Sequence, residues 1–170
     1  MNQTERPNTQ PPPPQLPYQT NRFELRLYEG WQDKTVITLV GPVDDGIQHN
    51  VIVLFEDDSP FTTVRDFAEA QINALETELK SCRVLKKGGI ALSNGLNAYQ
   101  AIYSWYPAEH LQVYQEQVYV LSDKTAYKLT ATFTKRTRKT LGPLVQRMML
   151  SFNPVGHNRT GTPESQRQKA

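Results

Sequence analysis

Cysteine is almost missing from this chain: Cys82 is the one thiol in 170 residues. A lone thiol excludes an intramolecular disulfide framework and any multi-thiolate metal site. Long apolar runs are missing too, since no stretch approaches the roughly 18 residues that span a bilayer. Residues 1–7 carry neither an apolar core nor a lipobox cysteine. The reading therefore expects no signal peptide, no lipid anchor, no membrane insertion, and a soluble cytoplasmic protein. Charge of one sign is not in excess. A net charge of +2 is too mild to imply a nucleic-acid partner. Histidine is scarce: His49, His110 and His157 fall in apparent loops or the tail, lack metal-pair spacing, and read as surface side chains.

Groupings that carry catalysis are equally thin. Asp44-Asp45 and Asp57-Asp58 are adjacent carboxylates in loops, where such residues form turns and mark helix ends. Cys82 stands beside Arg83, but no histidine motif accompanies it. Lys87-Gly88-Gly89 precedes strand-like sequence and lacks the Gly-Lys-Ser/Thr ending of a phosphate loop. The expectation is a non-enzyme without cofactor or metal.

What the chain does have is clear periodicity between two polar ends. Residues 1–20 hold Pro11-Pro12-Pro13-Pro14 and few aliphatics, and residues 154–170 are rich in Gly, Thr, Ser, Gln and Arg. Both read as extended or disordered tails around one folded domain, 21–153. Inside it, Phe23–Leu27, Thr35–Val40 and Asn50–Phe55 read as strands. A helix follows to Leu79, with Ser59 as N-cap and Pro60 in its first turn; Val64, Phe67, Ala68, Gln71, Ile72, Leu75 and Leu79 make its stripe. Arg83–Ile90 and Tyr99–Tyr106 flank the turn Ser93-Asn94-Gly95, and Val113–Leu121 and Ala126–Thr134 flank Ser122-Asp123-Lys124. A closing helix over Leu141–Phe152 buries Leu144, Val145, Met148, Met149 and Phe152, with Pro143 in its first turn. The order β-β-β-α-β-β-β-β-α makes the domain α+β, an antiparallel sheet packed with two helices.

The sheet looks apolar on both faces. Val36 and Thr38 oppose Ile37 and Leu39, while Ile52 and Leu54 oppose Val51, Val53 and Phe55. Two helices that cover one face leave the other for a partner. Two amides punctuate these surfaces: Gln71 on the helical stripe, and Gln117, which spoils the alternation of Val113–Leu121. A glutamine both donates and accepts, so each suits a partner's backbone; the alternative is that Gln71 bonds backbone within its own domain and Gln117 faces water. The cationic cluster Lys135-Arg136-Thr137-Arg138-Lys139 reads as a solvated edge, with an acidic protein partner as the alternative.

Tyr28-Glu29-Gly30-Trp31-Gln32-Asp33 after a strand, a helix opened by Ser59-Pro60-Phe61, Tyr103-Ser104-Trp105, and Gln115-Glu116-Gln117-Val118 together resemble the DcrB-related family. Over about residues 18–153 the chain is most similar to its Eag-type branch, the cytosolic chaperones of type VI secretion effectors. The resemblance implies a Mog1/PsbP-like α+β fold, a homodimer, and the shielding of an effector's apolar N-terminal transmembrane helices. Matched by position, the groove residues are Val36, Thr38 and Ile52 with Gln71 and Gln117; Thr38 departs from the aliphatic expected there. The competing reading is a regulatory protein-binding module of the same fold, which engages a folded partner through its loops or basic stretch.

Overall fold

The most regular alternation in the chain lies at Thr125–Phe133: Tyr127, Leu129, Ala131 and Phe133 interleave with Ala126, Lys128, Thr130 and Thr132. A strand sends two such sets to opposite faces, and this one is interior to the sheet. The structure, a computed structural model, describes residues 14–20 and 22–155, so His157, most of the N-terminal proline-rich segment and most of the C-terminal tail lie outside the described residues. The chain forms two compact units, 1–34 and 35–170.

In the first unit, β1 (Gln15–Gln19) pairs antiparallel with β2 (Glu24–Tyr28). The segment 15–19, expected within a tail, is thus a strand. Tyr18 stacks on Phe23 at 6.0 Å and its phenol donates to Asp33 at 2.6 Å.

The second unit is a six-stranded antiparallel sheet. Its strands are β3 (Val36–Asp44), β4 (Ile47–Glu56), β5 (Arg83–Ala91), β6 (Asn97–Ala108), β7 (Leu111–Ser122) and β8 (Thr125–Phe133), in the order β3-β4-β8-β7-β6-β5. Positive φ at Asp45 and Gly46, and again at Asp123 and Lys124, gives two tight hairpins the twist of their strands. At Asn94-Gly95 only Gly95 takes positive φ.

The helices α1 (Val64–Glu78), α2 (Thr137–Thr140) and α3 (Gly142–Leu150) pack on both faces rather than on one. Phe67, Ala68 and Ile72 of α1 meet Tyr99, Ala101, Tyr119 and Ala126 on one side. Met149 of α3 meets Val51, Val118, Leu129, Ala131 and Phe133 on the other.

Three local expectations change. Thr63, not Ser59, caps α1: its Oγ1 accepts from Asp66 N at 3.1 Å. Ser59 is instead tied to the β7–β8 turn, its N–H donating to Lys124 O at 2.8 Å, while Thr125 Oγ1 donates to Asp57 at 2.8 Å. The closing helix is shorter than expected, Gly142–Leu150, and follows the one-turn α2; of its expected core Met149 is buried while Leu144 and Met148 face solvent. His49 is a core residue and not a surface one. The β3 bulge between Val40 and Val43 brings the Pro42 carbonyl to 3.2 Å from its Nδ1, and its ring lies 6.2 Å from Phe133.

Candidate functional site

Cross-strand registers fix what shares a face. Thr38, Ile52, Thr130, Gln117 and Ala101 form one row across β3, β4, β8, β7 and β6. Val36, Leu54, Lys128, Tyr119 and Tyr99 form the next. On the far side Val40 pairs with Asn50, and Thr132 with Gln115 and then Tyr103. All three rows belong to the face that carries α1, because Tyr99, Ala101 and Tyr119 pack under that helix.

The helix covers only part of this face. It lies mainly over β5, β6 and β7 and reaches β8 at Ala126 and Lys128, while Ile52 and Leu54 are half-buried and belong to neither core cluster. Val36 remains 54% exposed. Three strands spaced about 4.8 Å apart leave a floor about 10 Å wide, which matches the diameter of one helix, about 10–12 Å. Val36–Val40 runs for about 17 Å at strand rise, the length of roughly eleven helical residues.

The five residues singled out from the sequence are brought to this one surface. Val36, Thr38 and Ile52 form its floor, and Gln117 its back, at the margin of α1. Gln71 stands on the α1 wall, where its Oε1 accepts from Lys128 Nζ at 2.9 Å. Gln117 faces the groove side but is only 4% exposed. Its Nε2 donates to Thr130 Oγ1 at 3.2 Å, and its Oε1 accepts from the Tyr119 phenol. A glutamine amide has two donors and two lone pairs, so one of each is used within the domain.

Sequence reasoning missed a second amide system in the same surface. Gln115 Oε1 accepts from Tyr103 and Trp105, each at 2.8 Å, and its Nε2 donates to Thr132 Oγ1 at 2.9 Å. On β4, Asn50 Oδ1 is buried without a hydrogen-bond partner among the described residues. It also missed Lys128. The signal for these residues was present in β8, where every second residue from Lys128 to Thr132 is polar while the alternate set is apolar. The α1 face is therefore mainly aliphatic at β3 and β4, with Thr38 and Asn50 among the aliphatics, and hydroxyl- and amide-rich toward β8 and β7.

The other candidates resolve into structural roles. Arg136 pairs with Asp44 and Asp45, and Arg138 lies 5.3 Å over the Tyr114 ring. The bonds donated by Thr134 and Arg136 hold the Asp45 carboxyl below its ordinary range. Burial pushes the Cys82 thiol up, away from reactivity. Among the described residues no group of three His, Cys, Asp or Glu is placed to hold a metal. No described helix is long and apolar enough to cross a membrane. A recess of about 720 Å³ lies elsewhere, between the start of α1 and β5–β6. It is bordered by Tyr99, whose phenol donates to Glu69 at 2.6 Å, and Glu69 also pairs with Lys87.

Residues 23–149 match the family model described as DcrB. No curated protein sequence matches the chain. Among solved structures, the chain is similar to PA94 from Pseudomonas aeruginosa, described as a protein of unknown function and candidate regulator. The TM-score is 0.67 and the identity 17%, over 84% of this chain and 98% of that one. A solution structure of the cyanobacterial PsbP protein CyanoP from Synechocystis sp. PCC 6803 gives a TM-score of 0.49 and 12% identity, over 82% of this chain and 91% of that one.

Proposed function

The chain belongs to the DcrB family, and from that premise we propose that it is a non-enzymatic binding module whose groove beside α1 takes an apolar helix. The observation that carries this reading is the helix-wide strip that runs from β3 and β4 to the margin of α1 at β8, bordered by glutamines. Each Leu or Val side chain removed from water contributes roughly 1.5–3 kcal/mol, so a few contacts suffice to hold an apolar segment in solution. The Eag-type resemblance gives the finer role, that of a cytoplasmic chaperone of a type VI secretion effector that shields the effector's N-terminal transmembrane helices and works as a homodimer.

The test is co-purification of the full chain with a 20-residue Leu/Ala/Ser helix fused to a soluble carrier, on the order of one transmembrane span. Wild-type protein is expected to retain the fusion, and Val36→Asp with Thr38→Asp to lose it, because two carboxylates on the groove floor would lose their water under an apolar helix. Retention by that double variant would refute the groove. Arg136→Glu with Arg138→Glu separates the regulatory alternative that works through the basic stretch. Since Arg136 is already engaged by Asp44 and Asp45, that pair of changes is expected to leave helix capture intact.

A further inference from the structure

Lys128 is an odd side chain for the place it occupies. It sits in an interior strand between Leu54 and Tyr119, its cross-strand partners, on the face that carries the groove. It is half-buried, and burial draws its pKa below the usual lysine range, opposed only by the charge of Glu78. The acceptor of its ammonium is the neutral Gln71, at 2.9 Å. Gln71 spends its carbonyl on that bond, and its Nε2 has no partner among the described residues. An ammonium and an amide N–H thus stand together at the α1 wall.

Cover this groove with a wholly apolar helix and the ammonium loses water without gaining an anion. An uncompensated buried charge is strongly destabilising, whereas a charge pair with further hydrogen bonds recovers much of that cost. We propose that the helix held in this groove carries an acidic side chain on its buried face, seated against Lys128 with Gln71 Nε2 as a second donor. The inference rests on the helix-binding function above and adds the chemistry of the occupant. Gln71 then serves both states, holding the ammonium in place when the groove is empty and donating to the carboxylate when it is filled. In this pairing Lys128 sets specificity, while the aliphatic strip of β3 and β4 supplies the bulk of the affinity.

Three synthetic Leu/Ala helices that differ at one central position, Glu, Gln or Lys, test this by calorimetric titration against the full chain. The Glu peptide is expected to bind at least about tenfold tighter than the Gln peptide, the scale of a close charge pair at an interface. The Lys peptide is expected to bind weakest. Lys128→Met should erase the preference and Lys128→Glu should transfer it to the Lys peptide, with the circular dichroism of each variant recorded to confirm folding. Equal affinity of the Glu and Gln peptides for wild type overturns the proposal while helix binding stands, as does a Glu preference that survives in Lys128→Met. Failure of all three peptides to bind overturns helix binding itself and the proposal with it.

Discussion

Gln117 shows how much one side chain's orientation decides. Its amide belongs to the groove side of the sheet, yet it is buried and bonded to Tyr119 and Thr130. Replacing it by Ala leaves the Tyr119 phenol in the core without an acceptor, and an unsatisfied buried polar group costs about 1–3 kcal/mol. Urea denaturation of Gln117→Ala is expected to show a loss of that size, and Gln71→Ala, which takes the acceptor from the half-buried Lys128 ammonium, a loss on the same scale of about 1–3 kcal/mol. An unchanged midpoint for Gln117→Ala would mean that the phenol finds another partner. It follows that weaker binding by a variant of either glutamine mixes stability with contact, and each is to be read beside its own denaturation midpoint. The importance of both amides was legible because each interrupts an apolar pattern. Which partner each takes was not, because a strand pattern does not say whether Thr130 or an incoming helix stands opposite.

The two edge strands are treated very differently. β5 carries Arg83, Lys86 and Lys87 and a register shift between Val84 and Lys86. Charges and bulges of that kind keep an edge from pairing with another chain. Over Val36–Val40, β3 has no charge and no proline, and its Val36, Ile37, Leu39 and Val40 are all exposed. Such an edge is a template for a further strand, which supports the proposed homodimer. Sedimentation equilibrium is expected to give twice the chain mass. Ile37→Lys, on the sheet face opposite the groove, should lower that mass to the monomer; a wild-type monomer at micromolar concentration would refute the dimer. Element types were largely readable, since β8 alternates strictly and α1 repeats Phe67, Ala68 and Ile72 at helical spacing. Element ends were less so. The cap moved from Ser59 to Thr63 because the β7–β8 turn claims the Ser59 backbone, a contact 65 residues away in sequence. In the last helix two of the five side chains expected inside, Leu144 and Met148, face solvent.

For the whole molecule, pH acts through a carboxyl buried between the sheet and its α3 side. Burial pushes the Glu116 carboxyl up, opposed by bonds from Gln100 on β6 and Gln146 on α3 and by the charges of Arg138 and Lys86. The folded state therefore holds this proton more tightly than the unfolded chain. Its stabilising contribution is full below the ordinary glutamate range and declines as pH rises through the folded value. Asp45 and Glu69 act in the opposite sense, because their donated bonds lower them, so their contribution is lost as pH falls. Chemical denaturation from about pH 5 to about pH 8, a window above the ordinary glutamate pKa, is expected to show a decline in wild type that flattens in Glu116→Gln. A decline of the same slope in both would assign it to another group.

By itself the sequence determined the α+β class, the strand and helix types, and the presence of amides among the aliphatics, because these follow from periodicity and residue chemistry over a few neighbours. Only the tertiary structure decided that α1 and α3 take opposite faces, that Arg136 is neutralised from within by Asp44 and Asp45, and that Lys128 stands in the groove beside Gln71. Those outcomes depend on registers and contacts between residues dozens of positions apart, and no local pattern encodes which distant side chain arrives.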